Sequence, residues 1–226
     1  MRYLITGGNG GLGQAIIQAL AEMTDPFETL DITTMGKGCD INVDFGNTQQ
    51  IEEKLSLRVF DIVIHAAGVN KISKHCDLTL DDILNLLQVN AVSNFFINRI
   101  LLDSPLAPKA ICHVISDAAW TPMTHSLAYN VSKAAQLMVM RQMAHEDKRS
   151  VIFGVSPGKI GNTGMSAYID NTFPPMRGMT YSQGREYQLS RLRTGEMDAS
   201  TVARFIVSLL EQCNKHYHGH NFSIGG

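Results

Sequence analysis

An α/β domain built on a doubly wound parallel sheet, with helices on both faces, is the fold this sequence predicts. Three observations carry it. Short, nearly continuous apolar runs such as Phe60-Asp61-Ile62-Val63-Ile64 and residues 111–115 recur along the chain, as in strands buried on both faces. Stretches with apolar residues at helical spacing separate them. The first apolar run ends in a glycine-rich turn, Thr6-Gly7-Gly8-Asn9-Gly10-Gly11-Leu12-Gly13, followed at once by a helical pattern, which is how a strand–turn–helix unit opens.

Each element has its own reason. Tyr3-Leu4-Ile5 is a short apolar strand. Ile16, Ile17 and Leu20 mark a helix over residues 13–23. A second strand is expected over residues 27–31, ending at Asp31, and residues 48–57 read as a helix. The strand at 60–64 runs into His65-Ala66-Ala67-Gly68. A helix over residues 80–102 carries Ile83, Leu86, Leu87 and Phe95 on its apolar faces. Residues 111–115 form a strand, 129–145 a helix, and 151–155 a strand ending at Pro157-Gly158. Residues 201–212 read as a helix and 221–224 as a last strand. Crossovers between parallel strands are right-handed. Residues 161–195 break the rhythm, with Pro174, Pro175, five glycines and no clear periodicity. A long irregular segment after a strand end reads as a substrate lid.

The chain has 226 residues, which fits one domain over 1–226 with one sizeable core and no linker or repeat. The formal net charge is −2, which provides no basic field for nucleic acid or an anionic membrane. Cys39, Cys76, Cys112 and Cys213 form no CxxC motif and read as free thiols of a reducing compartment. No apolar stretch approaches the ~18 residues of a membrane span. The first strand follows Met1 almost directly, without room for a signal peptide. A cytoplasmic protein is expected. The tract His216-Tyr217-His218-Gly219-His220 reads as the loop into the last strand, so no metal site is expected.

The glycine turn has the makings of a phosphate cradle. Close approach of a pyrophosphate to backbone N–H groups excludes a Cβ, and a helix N-terminus favours negative charge. Gly7, Asn9, Gly11, Leu12 and Gly13 are the candidates. Further on, Tyr129 and Lys133 are four residues apart and share one face of a helix. A free phenol titrates near 10, and a nearby ammonium favours the phenolate. A Tyr–Lys pair thus makes a candidate acid/base. Ser116 lies 13 residues before Tyr129 at a strand end.

Taken together, these segments resemble the short-chain dehydrogenase/reductase family in its compact, single-domain branch, across essentially the whole chain. The turn Thr6–Gly13 is similar to the family's cofactor turn. His65-Ala66-Ala67-Gly68 stands where the family usually has Asn-Asn-Ala-Gly. Val89-Asn90-Ala91, Ser116, Tyr129 and Lys133 match its tetrad; residues 155–160 resemble the Pro-Gly segment beside the nicotinamide, and 219–226 the closing strand. The resemblance implies a Rossmann-like fold and an oxidoreductase interconverting an alcohol and a carbonyl. In that reading Tyr129 is the general acid/base, Lys133 tunes it and holds ribose, Ser116 orients the substrate, and Asn90 anchors a water in a proton relay. Ala66, Ala67, Gly68, Asn90, Tyr129, Lys133, Pro157, Gly158 and Ile160 line the cofactor with the glycine turn, and Asp44 contacts the adenine. It also implies a homodimer or homotetramer through helices 80–102 and 129–145.

A carboxylate ending the second strand selects NAD by bonding the adenosine ribose. Asp31, 18 residues after Gly13, favours NAD over NADP in this way. Thr33, Thr34 and Lys37 favour a phosphate instead if the strand runs later. Asn162 replaces the threonine usual after the Pro-Gly segment, with Thr163 one residue on. Two rivals remain: an NAD-dependent sugar-nucleotide epimerase or dehydratase, and a non-catalytic dinucleotide-binding regulator.

Overall fold

The computed structural model describes residues 1–23, 29–192 and 195–225. Among these, one six-stranded sheet has the order β2-β1-β3-β4-β5-β6, every neighbouring pair parallel. Its strands are β1 (Arg2–Thr6), β2 (Asp31–Met35), β3 (Ile62–His65), β4 (Ala110–Val114), β5 (Val151–Pro157) and β6 (Asn221–Ile224). The helices are α1 (Gly11–Met23), α2 (Thr48–Leu55), α3 (Leu80–Leu87), α4 (Ser93–Asp103), α5 (Leu127–Glu146), α6 (Gly164–Met176), α7 (Tyr181–Ser190) and α8 (Ala199–Gln212).

Alternating side chains explain why both faces are covered. Ile5, Ile64 and Cys112 pack with Ile16 and Leu20 of α1 and with Val202, Ile206 and Leu210 of α8. Their neighbours Leu4, Val63 and Ile111 point the other way, onto Ile51 of α2, Ile97 and Leu101 of α4, and Leu137 and Met140 of α5. A strand with apolar residues on both faces is stable only between two helical layers. The order in which successive strands are added reverses at β1, so the carboxyl ends of β1 and β3 open a crevice. The glycine turn sits there.

Two expectations are corrected. The second strand starts at Asp31 rather than ending there, and part of the expected span, residues 27 and 28, lies outside the described residues. Asp31 pairs with Arg2 while Met35 pairs with Thr6. Asp31 therefore stands at the far end of the strand from the glycine turn, about 13 Å away at strand rise. The misreading has a physical source. β2 is a polar edge strand, Asp-Ile-Thr-Thr-Met, without the apolar run that marks the central strands. Its outer edge is bonded by the returning chain, Ile41 N–H donating to Thr34 O at 2.9 Å and Gly36 N–H to Ile41 O at 3.1 Å.

The segment 161–192 is also not irregular. It holds α6 and α7, each opened by a capping box, Thr163 with Ser166 and Thr180 with Gln183. Pro174 and Pro175 lie in the last turn of α6, and Gly184 lets α7 lie directly on Pro174. The expected long helix 80–102 is α3 and α4 joined by a π turn, Gln88–Val92, a distortion frequent at functional sites.

Candidate active site

The glycine turn is shaped by steric necessity. Gly7 has φ +71°, and a Cβ there would stand 2.7 Å from Ala67 Cα. Gly10 N–H closes the turn onto Gly7 O at 2.9 Å, and α1 begins at Gly11 with its first N–H groups facing the crevice. Asn9 ties the turn to the chain after β2, its amide donating to Gly38 O at 2.7 Å. Thr6 Oγ1 accepts from Ala67 N–H at 3.1 Å, joining the ends of β1 and β3.

A cavity of about 480 Å³ runs from this turn to the tyrosine. Gly11, Leu12, Gly13, Ala66, Gly68, Ser116, Tyr129, Lys133, Pro157, Gly158 and Ile160 all line it. Sequence-distant candidates thus meet on one wall system. Gly7, Asn9 and Ala67 stand behind that wall as its support. Asp44 is not part of it; it is exposed, and its carboxylate accepts from Gly46 N–H at 2.8 Å, which closes a local turn. Asp31 is removed from the site by its register, as described.

Tyr129 and Lys133 are buried, 8% and 4% exposed. Burial pushes the Tyr129 phenol up to about 12; hydrogen bonding with Ser116 favours the phenolate and the Asp117 charge opposes it. Lys133 does not offset this rise, and the phenol, like a free one, holds its proton at neutral pH. Lys133 itself is brought down to about 7 by burial. Its Nζ lies 5.8 Å from the Tyr129 ring centre and donates to Gln136 Oε1 at 2.8 Å and Val114 O at 3.2 Å. Gln136, three residues along the same helix face, is a partner that the motif does not reveal.

Ser116 Oγ donates to Asp117 Oδ1 at 3.0 Å and accepts from Ala118 N–H at 3.2 Å. Burial raises the Asp117 carboxyl above its ordinary value, opposed by these hydrogen bonds. Asn90 lies in the π turn with its amide committed: Nδ2 donates to Val69 O at 2.9 Å and Ser132 Oγ at 2.8 Å, and Oδ1 accepts from Val69 N–H at 2.8 Å. It fixes the β3 loop against α5. Asn90, Asn94 and Asn98 recur at four-residue spacing and are all buried, a stripe that the apolar reading of this helix overlooked. Asn98 bridges two buried histidines, with His65 Nε2 2.7 Å from its Oδ1 and His113 Nε2 3.0 Å from its Nδ2.

The substrate end is closed by α6 and α7. The departure at Asn162 is absorbed locally: Asn162 takes φ 54°, a left-handed turn that Asn tolerates, and Thr163 then caps α6. A Cβ on Gly11 would meet Thr163 Cγ2 at 3.0 Å, so Thr163 touches the phosphate turn. Lys159 lies in a part-buried cluster, 2.5 Å from Asp170 and 2.8 Å from Glu196. Arg185 bonds both carboxylates. The cluster pins α6 and α7 to the chain after β5. Phe173 and Tyr187 stack with centres 5.6 Å apart.

His218 joins α5 to β5, its Nδ1 accepting from Ile152 N–H at 3.2 Å and its Nε2 lying 2.6 Å from Ala144 O. Among the described residues no helix is long and apolar enough to cross a membrane.

Comparison with known proteins agrees with this architecture. The family model described as short chain dehydrogenase matches residues 28–173. The chain is 23% identical to L-2,3-butanediol dehydrogenase of Corynebacterium glutamicum over 239 residues, covering 95% of this chain and 92% of that protein. L-sorbose reductase of Gluconobacter frateurii, solved with NADPH and L-sorbose, superposes with a TM-score of 0.84 at 18% identity, covering 100% of this chain and 95% of that one. 4-hydroxyisoleucine dehydrogenase, solved with NADH, superposes at 0.78 and 22% identity, covering 100% and 97%.

Proposed function

The chain belongs to the short chain dehydrogenase family, and from that premise we propose that it interconverts an alcohol and a carbonyl with a nicotinamide dinucleotide, Tyr129 carrying the proton. The observation that carries this reading is the single cavity shared by the glycine turn, Ser116, Tyr129 and Lys133. The crevice suits the dinucleotide: at Gly7 a side chain would overlap the neighbouring strand end, and the start of α1 offers N–H groups to a pyrophosphate. When bound, that group supplies or removes the hydride. Every other part falls to the chain. A phenol held at about 12 is a proton donor at neutral pH, matched to the alkoxide that forms as a carbonyl is reduced. Lys133 holds the ribose, and Ser116 steadies the substrate oxygen. Asn90 keeps the β3 loop and α5 in register.

The adenosine end follows from the position of β2. With Asp31 at the wrong end of the strand, its support for NAD falls away. Two residues past the correct end is Lys37, exposed and held near the turn through Asn9. That arrangement supports NADP, with Lys37 facing the 2′-phosphate. Lys37→Ala is then expected to weaken NADPH binding about 10-fold, the scale of one charge-assisted hydrogen bond, while NADH binding holds. Exposed Leu84, Phe95, Leu127, Val131 and Met138 on α3, α4 and α5 support assembly as a homodimer or homotetramer, which light scattering measures.

The deciding experiment is a fluorescence titration with NADH and NADPH beside a turnover screen of small ketones, on wild type and Tyr129→Phe. Dinucleotide binding in both, with turnover lost by about 10²–10⁴-fold in the variant, supports the reading. Failure to bind either dinucleotide refutes it. Binding with equal turnover in the variant removes Tyr129 from the chemistry.

A further inference from the structure

Some polar groups of the cavity wall lack what buried polar groups ordinarily have. Gln188 Nε2 and Asn70 Oδ1 are buried with no hydrogen-bond partner among the described residues, and both side chains line the cavity. Asp117 lines it as well, and among the described residues no cation pairs with its carboxylate. The orientation of Gln188 is set by its neighbour: Lys159 Nζ donates to Oε1 at 2.7 Å, which leaves the N–H₂ end as the free donor. The wall thus offers one unused donor and two acceptors.

These groups border the reaction centre. Asn70 follows two residues after Gly68, where an added Cβ would lie 3.6 Å from Lys133 Nζ. Asp117 Oδ1 accepts a hydrogen bond from the Ser116 hydroxyl. Gln188 is held on Lys159, directly after the Pro157-Gly158 turn. A buried polar atom without a partner costs about 1–3 kcal/mol, so a ligand that pairs with these atoms gains over one that does not. A hydroxyl both accepts, from Gln188, and donates, to Asn70 or Asp117. A carboxylate only accepts, so it leaves the Asn70 acceptor unpaired. A plain ketone leaves Gln188 Nε2 and Asn70 Oδ1 unpaired.

Resting on the alcohol–carbonyl reading above, we propose that the substrate is a ketone bearing a hydroxyl beside the reacting carbonyl, and that Gln188 and Asn70 select for that hydroxyl. In reduction, a hydride from the reduced dinucleotide adds to the carbonyl carbon and the Tyr129 proton goes to the oxygen. The product is a vicinal diol, and the dinucleotide leaves oxidised.

The test compares 3-hydroxy-2-butanone with 2-butanone, and hydroxyacetone with acetone, using NADPH and NADH. A site built to bond a hydroxyl rejects the analogue lacking it strongly, so kcat/KM is expected to favour the hydroxyketone by about 100-fold or more. Gln188→Met and Asn70→Ala are each expected to shrink that ratio at least ~10-fold, chiefly through the hydroxyketone. Thermal melts and dinucleotide titration identify any variant that fails to fold, and the wild-type ratio stands without the variants. Equal rates on both members of a pair, ratios untouched in folded variants, or turnover of no hydroxyketone while the dinucleotide still binds would each overturn the proposal. Absence of dinucleotide binding would instead strike the premise.

Discussion

Lowering the pH from 7 to 5 is expected to remove about 2 kcal/mol of folding stability through His65 alone. His65 is wholly buried, and burial lowers its pKa from 6.5 to about 4, with the Asn98 hydrogen bond pulling weakly the other way. The ring is therefore neutral in the folded protein throughout this range. Its Nε2–H donates to Asn98 Oδ1, and the Asn98 amide donates on to His113 Nε2. In the unfolded chain the imidazole gains a proton below pH 6.5. Stability from this group is complete above that value and is lost as pH falls toward about 4, where the total reaches about 3 kcal/mol at 1.36 kcal/mol per unit. His113 adds in the same direction, since burial and then the charges of His65 and Lys133 hold it well below its ordinary value. Urea unfolding of wild type and His65→Gln between pH 7.5 and 5 measures this directly. Glutamine can still donate to Asn98 and does not titrate, so the variant's stability is expected to fall less steeply by about 2 kcal/mol at pH 5. Parallel curves for the two proteins would refute the reasoning, because the acid loss would then come from elsewhere.

Other expectations follow from the same geometry. Gly7→Val places a Cβ against Ala67 at a backbone φ of +71°; a loss of roughly 3 kcal/mol and of dinucleotide binding is expected, read by melting curves and fluorescence titration. Lys159→Met leaves Asp170 and Glu196 with Arg185 alone. Removing one cation of this part-buried network is expected to cost about 1–3 kcal/mol, and protease cleavage within residues 161–192 should accelerate. Ser116→Ala removes the hydrogen bond that counteracts burial at Asp117, so the Asp117 carboxyl resonance in ¹³C NMR should titrate at higher pH than in wild type.

Much was legible in the chain itself. β1, β3, β4 and β5 carry apolar residues on both faces, and only a sheet covered by two helical layers satisfies such strands. Gly7 and the start of α1 declare a close backbone approach because few other residues allow one. Tyr129 and Lys133 announce a shared helix face by spacing alone. Other features required the folded chain. The edge strand β2 is polar, so its register, and with it the displacement of Asp31 from the adenosine end, depended on pairing with β1. The helices α6 and α7 lack a strong apolar stripe; they are held by local caps, by Pro174 against Gly184 and by the Lys159 ion cluster, which joins the chain after β5 to both helices. The state of the reaction groups was likewise a tertiary matter. Spacing places Lys133 beside Tyr129, but burial decides that the phenol is pushed up rather than down and that the lysine turns to Gln136 and Val114, because desolvation depends on everything packed around a group and not on its neighbours in sequence.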